Sequence, residues 1–108
     1  MFILKKQNDV MWPCKISVPA DGGKFVKETV SVRLKLLPAK EFQSLIKRSD
    51  DVLFVREVLL GWEGVGDETG KALEFSDATR DALAQTPYFV RALLEAYAEA
   101  SVGAPAKN

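Results

Sequence analysis

From Trp12 to Val18 apolar and polar positions alternate. Trp12, Cys14, Ile16 and Val18 fall on one side and Lys15 and Ser17 on the other. A period of two predicts a half-buried strand. Pro13, which has no N–H to give to a ladder, places that strand at a sheet edge or makes this its start. Pro19-Ala20-Asp21-Gly22-Gly23-Lys24 reads as a turn by composition. The alternation then resumes between Val26 and Leu36, with Val30, Val32, Leu34 and Leu36 facing one way and Lys27, Thr29, Ser31, Arg33 and Lys35 the other. Two such strands across a glycine turn predict an antiparallel hairpin with one wet face. Phe2 to Lys5 is a candidate for a third short strand.

A hairpin by itself is marginal in water, so its apolar face needs a cover. The rest of the chain supplies helical patterns. Pro38 pre-sets a first turn, and Phe42, Leu45 and Ile46 recur at helical spacing to about Ser49. Ser49-Asp50-Asp51 offers N-cap oxygens and acidic charge to a second helix carrying Val52, Val55, Val58 and Leu59, with Gly61 as its stop. The β-branched content of that segment keeps a buried strand open as the competing reading. Phe75-Ser76-Asp77 opens a third helix, to about Gln85. Thr86-Pro87 opens a fourth, with Phe89, Val90, Leu93, Leu94 and Tyr97 spaced by threes and fours and Gly103 at its end. The expected fold is α+β: an N-terminal antiparallel β-hairpin or small sheet packed against about four C-terminal α-helices. It forms one domain over residues 1–103, with the β-hairpin region at 1–37, the helical region at 38–103 and a flexible tail at 104–108.

Between these patterned segments lies Leu60-Gly61-Trp62-Glu63-Gly64-Val65-Gly66-Asp67-Glu68-Thr69-Gly70, which has neither period. Its glycines permit turns closed to other residues, and a tryptophan among them offers a large apolar area for packing. The stretch reads as a joint between two halves.

Composition changes this picture little. At 108 residues, 47% apolar and 28% charged, the chain can bury a modest core without staples. No apolar run approaches the ~20 residues of a membrane span, and Met1-Phe2-Ile3-Leu4 before Lys5-Lys6 does not read as a secretory signal. A single cysteine, Cys14, offers no internal disulfide, and a cytoplasmic location is expected. Charge is uneven although the total is zero. Residues 1–40 carry eight Lys/Arg and three Asp/Glu, and residues 41–108 carry seven and twelve. The bland account is solvated faces; the sharper one is a dipole that turns its basic half to an acidic partner. Overall neutrality argues against nucleic acid.

The chemistry-bearing residues are few. Without histidine the chain lacks the commonest base and metal ligand. Cys14 on an apolar strand face reads as core, and Asp50-Asp51 reads as helix capping. Asp67-Glu68-Thr69-Gly70 lacks the alternating ligands of a calcium loop and suits a turn. Gly66 to Lys71 has three residues between its glycines where a phosphate loop needs four, and Ala72 stands where the metal-binding hydroxyl belongs. The expectation is therefore no catalytic residues, no cofactor and no metal. What remains is binding. Trp62, Leu73, Phe75, Tyr88 and Phe89 gather around the joint and the last two helix starts. They suit either core packing or an interface patch, and the sequence leaves both open.

Three blocks of the chain resemble tail assembly chaperones of long-tailed bacteriophages and prophages. The first is Trp12-Pro13 leading into a strand, then Pro19-Ala20-Asp21-Gly22-Gly23-Lys24 and an alternating strand to Leu36-Leu37. The second is Gly61-Trp62-Glu63-Gly64-Val65, then Asp67-Glu68-Thr69-Gly70 and Leu73-Glu74-Phe75-Ser76. The third is Thr86-Pro87, through Ala92-Leu93 and Ala96-Tyr97, to a small-residue tail ending Lys107-Asn108. In order they cover nearly the whole chain, and the Trp-Glu-Gly-Val turn with its downstream Phe-Ser is the most specific. Cys14 stands where the pattern has valine. The resemblance implies a non-enzymatic role. Such proteins bind and solubilise the tape measure protein in the host cytoplasm, help recruit tail tube protein, and are absent from the mature virion; many also have a longer frameshifted form. The family has no catalytic residues to carry over. A structural tail component, such as a connector or tail-completion protein, or a generic interaction module, is the alternative. Oligomeric state is left open.

Overall fold

A computed structural model describes residues 1–103. The elements run β1 (Asp9–Ala20), β2 (Lys24–Lys35), α1 (Ala39–Lys47), α2 (Asp51–Val58), β3 (Leu59–Glu63), α3 (Asp77–Ala84) and α4 (Pro87–Val102). The class is α+β: a three-stranded antiparallel sheet, ordered β1-β2-β3, and four helices, of which α4 and α2 pack on the sheet and α1 and α3 on other helices. The hairpin forms as its alternation predicts. Trp12 opposes Val32, Cys14 opposes Val30 and Ile16 opposes Glu28. Pro13 lies on the edge strand, where its missing N–H leaves no gap in the ladder. The reversal at residues 21–23 uses Gly22 and Gly23 at φ 83° and 75°, the paired positive angles that match the twist of a tight hairpin.

The third strand comes from a different place than expected. Phe2 to Lys5 forms no strand and is exposed. The strand that completes the sheet is Leu59–Glu63, so Gly61 does not stop α2 but lies within β3. Of the two readings of the segment after Asp51 the helix holds, and its β-branched residues Val52, Val55 and Val58 all lie in α2. The segment is helical to Val58, then Leu59 turns extended at φ −94°, ψ 110°. The physical reason is the open edge of β2, whose backbone groups from Ser31 to Leu34 take residues 59–63 as partners. The register slips there: Arg33 opposes Gly61 while Leu34 opposes Leu59. Leu60 is the extra residue of a bulge and is 41% exposed. The slip puts buried Leu59 and half-buried Trp62, three residues apart, on the same face.

Helix boundaries follow local chemistry. Pro38 stands at the N-cap of α1, one position before the helix. Asp50 caps α2 by accepting from the Leu53 N–H at 3.1 Å. Ser76 and Thr79 form a capping box on α3, with Thr79 N–H to Ser76 Oγ at 3.2 Å and Ser76 N–H to Thr79 Oγ1 at 2.8 Å. Thr86 is the N-cap of α4, but its hydroxyl donates back to the Ala82 carbonyl at 3.2 Å and does not cap. Gly103 ends α4; the expected tail, 104–108, lies outside the described residues.

Helix α4 packs across β1 and buries Phe89, Val90, Leu93 and Tyr97 against Cys14, Val32 and Leu34. Two polar contacts fix its position. Trp12 Nε1 donates to Glu99 Oε1 at 3.1 Å, and Tyr97 Oη accepts from the Leu37 N–H at 2.9 Å. Tyr97 also stacks on Phe42 at 4.8 Å and meets Phe54 edge-on at 6.0 Å, drawing α1 and α2 onto α4. Arg56 grips Asp81 with two bonds, at 3.1 and 2.9 Å, and ties α2 to α3. That contact holds the Asp81 carboxyl below its ordinary range.

Candidate functional site

Each hairpin strand is 12 residues long, but β3 covers β2 only from Ser31 to Leu34. The outer half of the hairpin therefore overhangs the helices. A groove of about 300 Å³ opens beneath it. One wall is the sheet's apolar face, through Ile16 and Val18 of β1 and Val30 of β2. The other is the loop Gly64-Val65-Gly66, and the floor is Leu83 of α3 with Phe89 at the start of α4. Glu28, exposed and opposite Ile16, is the one charged side chain among its lining residues.

The loop wall is built by the stretch that reads as a joint in the sequence. After β3 the chain makes a small hairpin: Gly66 bridges Ala72, Leu73 N–H donates to the Val65 carbonyl at 2.8 Å, and Asp67 N–H donates to the Lys71 carbonyl at 2.8 Å. Asp67 closes the turn. Its Oδ1 accepts from the Thr69 hydroxyl at 2.6 Å, the Thr69 N–H at 2.8 Å and the Lys71 N–H at 3.1 Å. These bonds, the hydroxyl's first, hold its carboxyl below the ordinary range. The acidic residue thus does what its position in a glycine turn predicts. Gly64 turns the loop at φ 88°, a conformation that side chains rarely adopt; space does not demand glycine there, since a Cβ would lie 3.9 Å from the Val30 side chain, an ordinary contact.

Of the five candidates, three come together. Trp62 Nε1 donates to the Leu73 carbonyl at 2.7 Å, and its ring meets Phe75 edge-on at 4.9 Å and 70°. All three are half-buried, and they brace the back of the loop that walls the groove. Phe89 is 2% exposed and serves as core and groove floor at once. Tyr88, its neighbour, is 40% exposed and does not line the groove. The residues that make the apolar wall, Ile16, Val18, Val30 and Val65, are missing from the candidates. A signal for them exists. Glu28 interrupts the apolar side of β2, between Val26 and Val30, and marks where that face meets water.

Two other depressions are more polar. One, of about 410 Å³ between α1 and α2, places Leu45 and Leu53 behind Lys40, Glu41, Arg48 and Glu57. The other, of about 500 Å³, joins Arg48, Asp50 and Asp51 to the α3–α4 corner. Among the described residues no three of Cys, Asp and Glu gather as a metal site would need. Cys14 is 0% exposed, and burial, with the charge of Glu95 adding to it, pushes its thiol up to about 12, which makes it unreactive at neutral pH. No helix of the described residues is long and apolar enough to cross a membrane. No family model, curated protein or solved structure matches the chain.

Proposed function

We propose that this chain is a phage tail assembly chaperone that acts by binding rather than by catalysis, and that the groove beneath the hairpin receives an apolar segment of the tape measure protein. The observation that carries this reading is the order of the three sequence blocks, which run from Trp12 to the end of the chain in the sequence expected of such chaperones. The groove supplies a physical means. A holdase needs an apolar concavity that a partner segment can fill and an otherwise polar exterior. The groove's walls are aliphatic, its floor is Phe89, and the Trp-Glu-Gly-Val turn of the second block forms one side of it. On this reading the protein works in the host cytoplasm, helps bring tail tube protein to the tape measure protein, and leaves before the virion is complete.

Co-expression with the tape measure protein encoded nearby tests it. The expected result is co-purification and a rise in soluble tape measure protein. Absence of both, or stoichiometric presence of this chain in purified particles, overturns the proposal in favour of a structural tail component.

A further inference from the structure

Strand β2 is covered along only part of the side that faces away from β1. Leu36 N–H donates to the Asn8 carbonyl at 2.7 Å, and the register from Asp9 opposite Lys35 to Ala20 opposite Lys24 runs without a break. Hydrogen-bonded and non-hydrogen-bonded pairs alternate along an antiparallel ladder. The even-numbered residues of β2 therefore bond to β1, and the odd-numbered ones aim their N–H and C=O groups the other way. Strand β3 takes up Ser31 and Arg33. Phe25, Lys27 and Thr29 have no backbone partner on that side among the described residues. Their free groups lie in the plane of the sheet, whereas the groove opens beneath its apolar face. An open edge is a template for another strand. We propose that a second copy of this chain fills it: the outer halves of two β2 strands pair antiparallel about a two-fold axis at Val26, joining the two sheets into one.

The edge is its own complement in this register. Around Val26 the strand reads Lys24-Phe25-Val26-Lys27-Glu28. With Val26 on the axis, Lys24 of each copy opposes the partner's Glu28, and Phe25 opposes the partner's Lys27. Phe25 and Lys27 are the residues with free backbone groups, so they exchange the hydrogen bonds. Val26, 50% exposed, meets the partner's Val26, and Phe25, 66% exposed, is covered by the stem of the partner's Lys27. The neighbouring registers fail. Moved two residues towards β3, the pairing sets Lys27 against the partner's Lys27 and lays the partner's Gly23 on Ser31, which Glu63 already holds. Moved two residues the other way, Glu28 opposes the partner's Gly22, beyond the strand, and both charge pairs are lost. Because the same edge serves both copies, the contact closes as a dimer and does not propagate. The exposed charge pairs choose partner and register more than they add affinity.

Sedimentation equilibrium of the full chain, from low micromolar to sub-millimolar concentration, tests this. Wild type is expected to be a monomer–dimer system. Lys24→Glu alone and Glu28→Lys alone, both at exposed positions, should leave the melting curve at low concentration unchanged. Each should weaken the dimer by up to ~25-fold, ~5-fold for each of the two symmetric pairs. An equimolar mixture of the two variants should associate again, since both pairs of the mixed dimer are then of opposite sign. Cross-linking tests the axis. Residues of a non-hydrogen-bonded pair lie ~4.5 Å apart between Cα atoms, within disulfide reach. Oxidised glutathione should therefore give a covalent dimer of Val26→Cys and none of Lys27→Cys. A wild type that stays monomeric throughout overturns the proposal. So does a dimer that neither charge variant weakens. A mixture that fails to associate, or Lys27→Cys cross-linking as readily as Val26→Cys, overturns the register and with it the two-fold at Val26.

Discussion

The indole N–H of Trp62 reaches across the small hairpin to the carbonyl oxygen of Leu73, at 2.7 Å. With Phe75 edge-on to the same ring, this contact fixes the loop Gly64-Val65-Gly66 at a set distance from the sheet. The groove depends on that spacing. Trp62 shapes the groove from behind, without lining it.

Trp62→Phe should keep most of the packing and lose the bond, leaving the Leu73 carbonyl without this donor at a cost of ~1–2 kcal/mol. Trp62→Ala should lose both, at ~2–4 kcal/mol, the lower part of the range for large aromatics because the ring is only half-buried. Denaturant unfolding of both variants checks this. Equal losses would show that the hydrogen bond contributes most of the effect.

Tyr97→Phe is the matching test at the other end of the core. The ring stays stacked on Phe42, but the Leu37 N–H loses its acceptor. A loss of ~1–2 kcal/mol is expected, read by urea midpoint at constant slope.

Cys14 gives a pH signature. Its thiol is raised from 9.0 to about 12 in the fold, so the unfolded chain releases this proton first as pH rises. Stability from the protonated thiol is complete below pH 9.0 and is lost as pH climbs toward about 12, at ~1.4 kcal/mol per pH unit. Burial raises the Tyr97 hydroxyl as well, and its contribution is lost in the same direction. Cys14→Val should remove the larger part of the alkaline slope and leave the tyrosine's part. In the native wild type at neutral pH, iodoacetamide should not label the thiol until the protein is unfolded.

The proposed role of the groove can be tested apart from folding. Val65→Ser removes an apolar wall residue that is only half-buried, and should cost about 1 kcal/mol or less of stability while sharply reducing co-purification of the tape measure protein. Tyr88→Ser, outside the groove, should change neither. The reverse pattern, with Tyr88 needed and Val65 dispensable, moves the binding surface to the exposed side of α4.

Much of the fold is legible along the chain because its elements carry their own signals. The β1–β2 alternation, Pro13 at an edge, the Asp50 cap, the Ser76 opening of α3 and the Thr86-Pro87 start of α4 are local statements, and local physics writes them. The third strand is not local. Leu59 and Trp62 face the same side only because Leu60 bulges out, and a bulge erases the period of two that would announce a strand. Phe2 to Lys5 shows the opposite error: three apolar residues in a row suggest a strand, but no sheet edge takes them up.

The candidate site divides in the same way. Trp62, Leu73 and Phe75 are visible as apolar residues around the glycine stretch, and they do assemble there. The sequence alone determines that a hairpin with one apolar face must be covered, that the glycines from Gly64 to Gly70 must turn, and that the chain has no histidine and one cysteine. Tertiary structure decides how much of the hairpin is covered. Backbone groups on the edge of β2 find their partners in residues 59–63 and stop at Ser31, since hydrogen bonding needs a second chain segment in register and none lies further out. That shortfall leaves Ile16, Val18 and Val30 beside an open groove, and it cannot be read from any one segment of the chain.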